Sequence, residues 1–161
     1  KKGNDINGDM FVDDCTLESD IEMYFPDEYV PSSSERMLLY RDLDSICDDD
    51  ELQAFRNRLI DRFGHVPSVG EELMKVVSLR RLGKSLGIEK MMLKAGKMIL
   101  YFVSNGESAY YQSAAFDRCL NYIAANTRRT NLREIKGKRS MVINDVKTVE
   151  EAVIVLSSIS G

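Results

Sequence analysis

The sequence predicts an α+β fold, in which a three-helix lobe packs with a small antiparallel hairpin lobe that carries two further helices. Three apolar stripes at helical spacing, each behind a capping pattern, follow one another within about residues 33–87. Two pairs of strand-like runs and two more helical segments occupy about residues 88–160. Because helices and strands are segregated along the chain, a doubly wound nucleotide-binding fold is excluded.

Each helix of the first lobe is predicted from a polar residue followed three positions later by a glutamate. These starts are Ser32, Asp48 and Ser68, and their side-chain oxygens can accept hydrogen bonds from the free N–H groups of a first turn. The second helix then carries an apolar stripe at spacings of three and four: Leu52, Phe55, Leu59 and Phe63. Gly64 is predicted to end it.

The strand predictions depend on alternation and on turn residues. Residues 20–25 alternate polar and apolar side chains up to Pro26, which predicts a half-buried strand. Two hairpins are predicted farther along, one from residues 90–94 with 98–103 and one from residues 132–136 with 139–144. Two further helices are predicted at residues 113–125 and after the capping residue Thr148.

Length and composition indicate one globular domain. The chain has 161 residues, of which 43% are hydrophobic and 30% charged, enough to close a core. Residues 1–17 are rich in Gly, Asn and Asp, so they are predicted to be an acidic flexible linker, with residues 18–161 forming the single domain. Residues 1–50 hold 15 acidic and 4 basic side chains, whereas residues 51–161 hold 11 acidic and 18 basic ones.

Several classes of protein are excluded by what the sequence lacks. No apolar run approaches the roughly 18 residues of a membrane span, and the first residues do not resemble a signal peptide, so we expect a cytoplasmic protein without a membrane partner. Cys15, Cys47 and Cys119 are far apart and His65 is the only histidine, which argues against a disulfide scaffold and a zinc site.

The sequence also lacks the residue patterns that catalysis would need. There is no phosphate-cradling loop and no dinucleotide fingerprint. His65, the only histidine, lies in a loop, where such a residue is more often solvated than a catalytic base. Residues 5–9 resemble part of a calcium loop, but two ligand positions fall on Gly3 and Asp14. We therefore predict a domain that is not an enzyme and holds no cofactor or metal.

A basic cluster supports an alternative function, nucleic-acid binding. Such side chains can neutralise phosphates, and six lie within twelve residues: Arg128, Arg129, Arg133, Lys136, Lys138 and Arg139. No aromatic residue is interleaved to stack bases. The structural alternative is a solvated basic face.

One segment resembles a known family. Residues 59–67 read Leu-Ile-Asp-Arg-Phe-Gly-His-Val-Pro, and residues 29–31 (Tyr-Val-Pro), 36–41 and 79–88 match around it. Together they resemble the C-terminal regulatory domain of the bacterial transcription-repair coupling factors, DNA translocases that remove stalled RNA polymerase. The resemblance covers about residues 18–90; beyond that, only the order of elements agrees.

The resemblance implies a regulatory domain that acts as an autoinhibitory clamp. It would pack on an N-terminal UvrB-like module of the same parent protein and mask the surface that binds UvrA. RNA polymerase and DNA would then be partners of the parent protein, whose motor uses ATP and magnesium. In the family the contact uses the aspartate matched by Asp61 and an acidic residue three positions earlier, where this sequence has Arg58.

The helical stripe places this contact on the outer face. At 100° per residue, the side opposite the apolar stripe carries the predicted partner interface: Gln53, Asn57, Arg58 and Asp61. The structural alternative is a surface pair between Arg58 and Asp61, worth about 0.3 kcal/mol.

Overall fold

The computed structural model describes residues 11–161 and confirms the predicted α+β class. The strands are β1 (Thr16–Ser19), β2 (Lys90–Lys94), β3 (Lys97–Tyr101), β4 (Thr130–Ile135) and β5 (Lys138–Asn144). The helices are α1 (Ser33–Asp44), α2 (Asp49–Phe63), α3 (Ser68–Ser85), α4 (Ala114–Ala125) and α5 (Val149–Ser160). A short 3₁₀ turn, Ala109–Gln112, precedes α4.

Residues 22–78 form one compact unit, which contains α1, α2 and the first part of α3. Its core is a cluster of apolar side chains from all three helices, from the segment before α1 and from the turn between α2 and α3: Phe25, Tyr29, Val30, Leu43, Phe55, Leu59, Val66 and Met74. The predicted stripe on α2 points into this core, since Phe55 and Leu59 are each 1% exposed.

Residues 11–21 and 79–161 form the second unit, built around a five-stranded sheet in the order β1-β2-β3-β5-β4. Neighbouring strands are antiparallel except β1 and β2, which run parallel. The side chains on one face of the central strands are fully buried: Met91, Leu93, Met98, Leu100, Met141 and Ile143. Helix α4 packs against both α5 and β4.

The polar residues that begin the helices act mostly as predicted. Ser32, Asp48, Ser113 and Thr148 each precede a helix and accept a hydrogen bond from the backbone N–H three residues later. The prediction for Ser68 is wrong, because this residue lies inside α3 and the carbonyl of Pro67 accepts the N–H of Glu71 at 3.0 Å instead.

Two predictions about the leading segment are corrected. Residues 20–25 are not a strand; the N–H of Phe25 donates to the Tyr40 hydroxyl at 3.0 Å rather than to a strand. The strand lies earlier, where Thr16 and Leu17 pair with Lys90 and Met91. The predicted linker of residues 1–17 therefore extends too far, since its last two residues belong to the sheet; residues 1–10 lie outside the described part.

The division into lobes also differs from the prediction. The boundary falls between residues 78 and 79, inside α3, rather than after residue 87, and residues 11–21 belong with the sheet. In the part of the chain that the structure describes, no helix combines the length and the apolar character needed to cross a bilayer.

Candidate functional site

The four residues predicted as an interface lie on α2 and are all exposed. Gln53 and Asn57 are one helical turn apart, and the Gln53 amide donates to the Asn57 side-chain oxygen at 3.1 Å. Because the apolar stripe of α2 is buried on the opposite side, this face presents polar side chains to solvent. We call the face formed by Gln53, Asn57, Arg58 and Asp61 the α2 face.

Asp61 and Arg58 do not form the surface pair that was the structural alternative to an interface. Within residues 11–161 no ion pair or hydrogen bond joins them, and the Arg58 guanidinium instead lies over the Phe55 ring, 5.7 Å from its centroid. The carboxylate of Asp61 has no ion-pair partner among the described residues. It is therefore an exposed negative charge available to a partner.

The residues on either side of Asp61 behave differently from it. Arg62 forms an ion pair with Glu35 on α1, and its guanidinium carbon lies 4.7 Å from the Phe63 ring centroid. Ile60 is 41% exposed although it is apolar. Ile60 is not among the residues predicted as an interface, although an apolar residue outside the buried stripe of α2 is itself a signal of a surface contact.

The α2 face is held in place by contacts on the other side of the helix. Arg56 forms an ion pair with Glu71 of α3. At the end of α2, Gly64 has φ of 85° and its N–H donates to the Ile60 carbonyl at 2.9 Å. The direction of α2, and with it the position of Asp61, is thus fixed by the contact with α3 and by the end of the helix at Gly64.

The basic cluster, the alternative site, does not form one surface. Arg129 donates to the backbone carbonyls of Asn144 and Asp145 at 2.8 and 2.9 Å. Arg139 lies opposite Glu134 in the β4–β5 pair, and its guanidinium carbon is 4.3 Å from the Tyr111 ring centroid. Since strand neighbours point to opposite faces, Arg139 lies on the face opposite Lys138. Only part of the cluster is therefore free to bind phosphates.

The structure also locates the residues that bear on nucleophilic and metal chemistry. His65 is exposed in the turn after α2, and within residues 11–161 no three His, Cys, Asp or Glu side chains are grouped to hold a metal ion. The calcium-like residues 5–9 lie outside the described residues. Burial raises the pKa of the thiols of Cys15 and Cys119 to about 12, so both are protonated near neutral pH.

Comparison with known proteins identifies the class. The TRCF domain family matches residues 19–113, which is more than half of the chain, and the chain therefore belongs to that family. The match includes the whole of α1, α2 and α3. In this family the matched region is a non-catalytic domain of the longer protein.

Two relatives and one solved structure are similar to the chain. The transcription-repair-coupling factor of Rickettsia bellii is 26% identical over 118 residues, which are 73% of this chain and 10% of the relative. That of Escherichia coli is 29% identical over 83 residues, 52% of this chain and 7% of the relative. The crystal structure of the C-terminal domain of transcription-repair coupling factor aligns over 91% of both chains, with a TM-score of 0.74 and 19% identity.

The chain corresponds to only a small part of the relatives that it matches. It spans about a tenth of the length of the Rickettsia relatives that it matches. The likeness in fold extends across nearly the whole chain, whereas the family match ends at residue 113, before α4. The α2 face lies within the residues that the family matches.

Proposed function

We propose that the chain is the regulatory domain of a transcription-coupled repair translocase, in which it acts as an autoinhibitory clamp. The α2 face binds a UvrB-like module of the same parent protein and covers the surface that UvrA would bind. RNA polymerase and DNA are partners of the parent protein, whose motor uses ATP and magnesium, in the bacterial cytoplasm. The domain itself holds no cofactor.

The observation that carries this proposal is the exposed carboxylate of Asp61. The Leu-Ile-Asp-Arg-Phe-Gly run provides the core contacts of α2 through Leu59 and Phe63, and Arg62 pairs with Glu35. Asp61 is the one member of that run's charged residues without an ion-pair partner in the described part of the chain. A charge that the fold does not use is suited to meet a basic patch on a partner.

The neighbouring exposed residues extend the same contact. Ile60 adds an apolar side chain that would lose contact with water in a complex, and Asn57 adds an amide one turn away from Asp61. Arg58 stands where the family has an acidic residue, and here it covers the Phe55 ring. Asp61 is therefore expected to provide the electrostatic part of the contact by itself.

The test measures the affinity of the full-length parent protein for UvrA. Asp61→Ala is expected to shift the clamp toward its open state and raise UvrA affinity by about fivefold or more, since couplings between sites are typically 1–3 kcal/mol. The matched control is Asp117→Ala, which removes an exposed carboxylate on α4 instead. Equal UvrA affinity of wild type, Asp61→Ala and Asp117→Ala would contradict the proposal.

A second variant tests the departure from the family. Arg58→Glu places an acidic residue where the family has one, so it is expected to strengthen the clamp and lower UvrA affinity. Combining it with Asp61→Ala should restore part of the masking that Asp61→Ala removes. A UvrA affinity that rises with Arg58→Glu would show that the arginine itself makes the contact.

A further inference from the structure

Strand β4 is an outer edge of the five-stranded sheet. In the described part of the chain it pairs with β5 on one side only, at the end of the order β1-β2-β3-β5-β4. Every residue of β4 after Thr130 is exposed. The opposite edge, β1, is only four residues long, so β4 is the longer edge of this sheet.

The hydrogen-bond pattern determines which backbone groups of β4 are free. The N–H of Asn144 donates to the carbonyl of Arg129 at 2.9 Å, and the carbonyl of Arg139 on β5 accepts from Phe102 on the other side. Because antiparallel bonding alternates along a strand, Asn131, Arg133 and Ile135 bond to β5. The backbone N–H and C=O groups of Leu132 and Glu134 therefore point away from the sheet.

Both charged and apolar side chains lie along this edge. Charges such as Arg133 and Glu134 commonly protect edge strands, but β4 also carries two exposed apolar side chains: Leu132 is 42% exposed and Ile135 is 61% exposed. They lie on opposite faces of the strand, because their positions differ by an odd number. An added strand could thus cover apolar surface on both faces.

The charges around the edge select the partner. Arg133 shares a face with Lys138, as the pairings Arg133 with Ser140 and Ile135 with Lys138 show, and Lys136 lies in the hairpin turn. Within residues 11–161 none of the three cations is in an ion pair. The acidic residue of the edge, Glu134, lies on the other face, 3.8 Å from the Arg139 Nε. Two copies joined through β4 would bring like charges together.

We propose that β4 binds an extended acidic segment of a partner protein as a sixth strand of the sheet. The backbone of Leu132 and Glu134 forms the new ladder, as in other cases of strand addition. Acidic residues at alternate positions of the segment face Arg133 and Lys138, and the apolar residues between them cover Leu132. This site lies in the sheet unit, whereas the α2 face belongs to the helical unit, and the proposal does not rest on the clamp.

The experiment uses the full 161-residue chain and blocked eight-residue peptides that alternate Val with Glu, or Val with Lys. Amide exchange is followed residue by residue by NMR. The Val-Glu peptide should slow exchange at Leu132 and Glu134 by about tenfold or more at saturation, because both amides become part of a ladder. The Val-Lys peptide should give no such protection.

Two variants separate the backbone from the charge. Leu132→Pro removes an outward N–H without breaking the β4–β5 ladder, and proline is tolerated on edge strands; it should weaken Val-Glu binding about tenfold or more. Retained protection of the Met141 and Val142 amides checks that the sheet still folds. Arg133→Glu keeps the backbone and should favour the Val-Lys peptide instead.

Several outcomes would overturn the proposal. One is Val-Glu binding that leaves the amides of Leu132 and Glu134 unprotected, and another is equal binding of both peptides. Binding of duplex DNA that displaces the Val-Glu peptide would assign the edge to nucleic acid. A doubling of mass with concentration, abolished by Leu132→Pro, would assign it to a second copy of the chain.

Discussion

The hydroxyl of Tyr29 donates a 2.7 Å hydrogen bond to the carbonyl oxygen of Gly64. This bond joins the segment before α1 to the residue that ends α2, and both residues belong to stretches that carry the family resemblance. The Tyr29 ring also packs against Phe63, with centroids 5.7 Å apart. The end of α2, next to Asp61, is thus held from the core side.

Tyr29→Phe tests this bond. It keeps the ring and removes the hydroxyl, so the free energy of unfolding is expected to fall by about 1 kcal/mol, the usual net value of a hydrogen bond. Urea unfolding of the chain measures it, with Tyr24→Phe as the control, since Tyr24 is 44% exposed. Equal losses in the two variants would show that the hydroxyl of Tyr29 does not stabilise the helix end.

The two sides of α2 should respond differently to truncation. Leu59 is 1% exposed, so Leu59→Ala is expected to cost about 2–5 kcal/mol through lost contacts and a cavity. Asp61→Ala should change stability by less than about 0.5 kcal/mol, as is usual for exposed residues. Urea unfolding distinguishes them; a large loss with Asp61→Ala would mean that Asp61 is structural rather than part of an interface.

A side chain at position 87 is disfavoured both by the backbone conformation of Gly87 and by the lack of space around it. Its φ is +76°, and a Cβ there would lie 2.2 Å from the Tyr110 ring carbon Cε1. Tyr110 cannot easily move, because it is fully buried and donates to the Leu86 carbonyl at 2.7 Å. Gly87→Ala is therefore expected to cost about 2–4 kcal/mol, from backbone strain and overpacking together.

Gly137 provides the matched control for that substitution. Its φ is +78°, but nothing lies within 4 Å of an added Cβ. Gly137→Ala should thus show the backbone strain alone, about 1–2 kcal/mol. Thermal melts of both variants measure the difference; a smaller shift for Gly87→Ala than for Gly137→Ala would contradict the packing around Tyr110.

The three cysteines should differ in reactivity toward iodoacetamide. Cys15 and Cys119 are fully buried, and burial raises both pKa values to about 12, whereas Cys47 is exposed. Because the thiolate is the reactive form, the two buried thiols should stay unmodified even at about pH 9. Mass spectrometry should find one label on the folded chain and three after unfolding; rapid labelling of Cys119 in the folded chain would contradict its burial.

Much of this protein could be predicted from local sequence. The helix starts at Ser32, Asp48 and Thr148 follow from side chains that bond to backbone groups three residues away, a relationship that needs no tertiary contact. The exposure of Asp61 follows from the helical period and from the apolar stripe opposite it. The role of Asp61 as a contact stays a prediction.

Only the tertiary structure decided how distant segments pair. Residues 20–25 alternate as a strand would, but the N–H of Phe25 donates to the Tyr40 hydroxyl instead of to a strand. The strand that joins the sheet is β1, which pairs with residues more than seventy positions away. The basic residues 128–139 look like one cluster in sequence, yet the pleat and the carbonyls of Asn144 and Asp145 divide them. Local bonds determine where elements begin and end, whereas strand pairing and the final surface depend on competition between partners far apart in the chain.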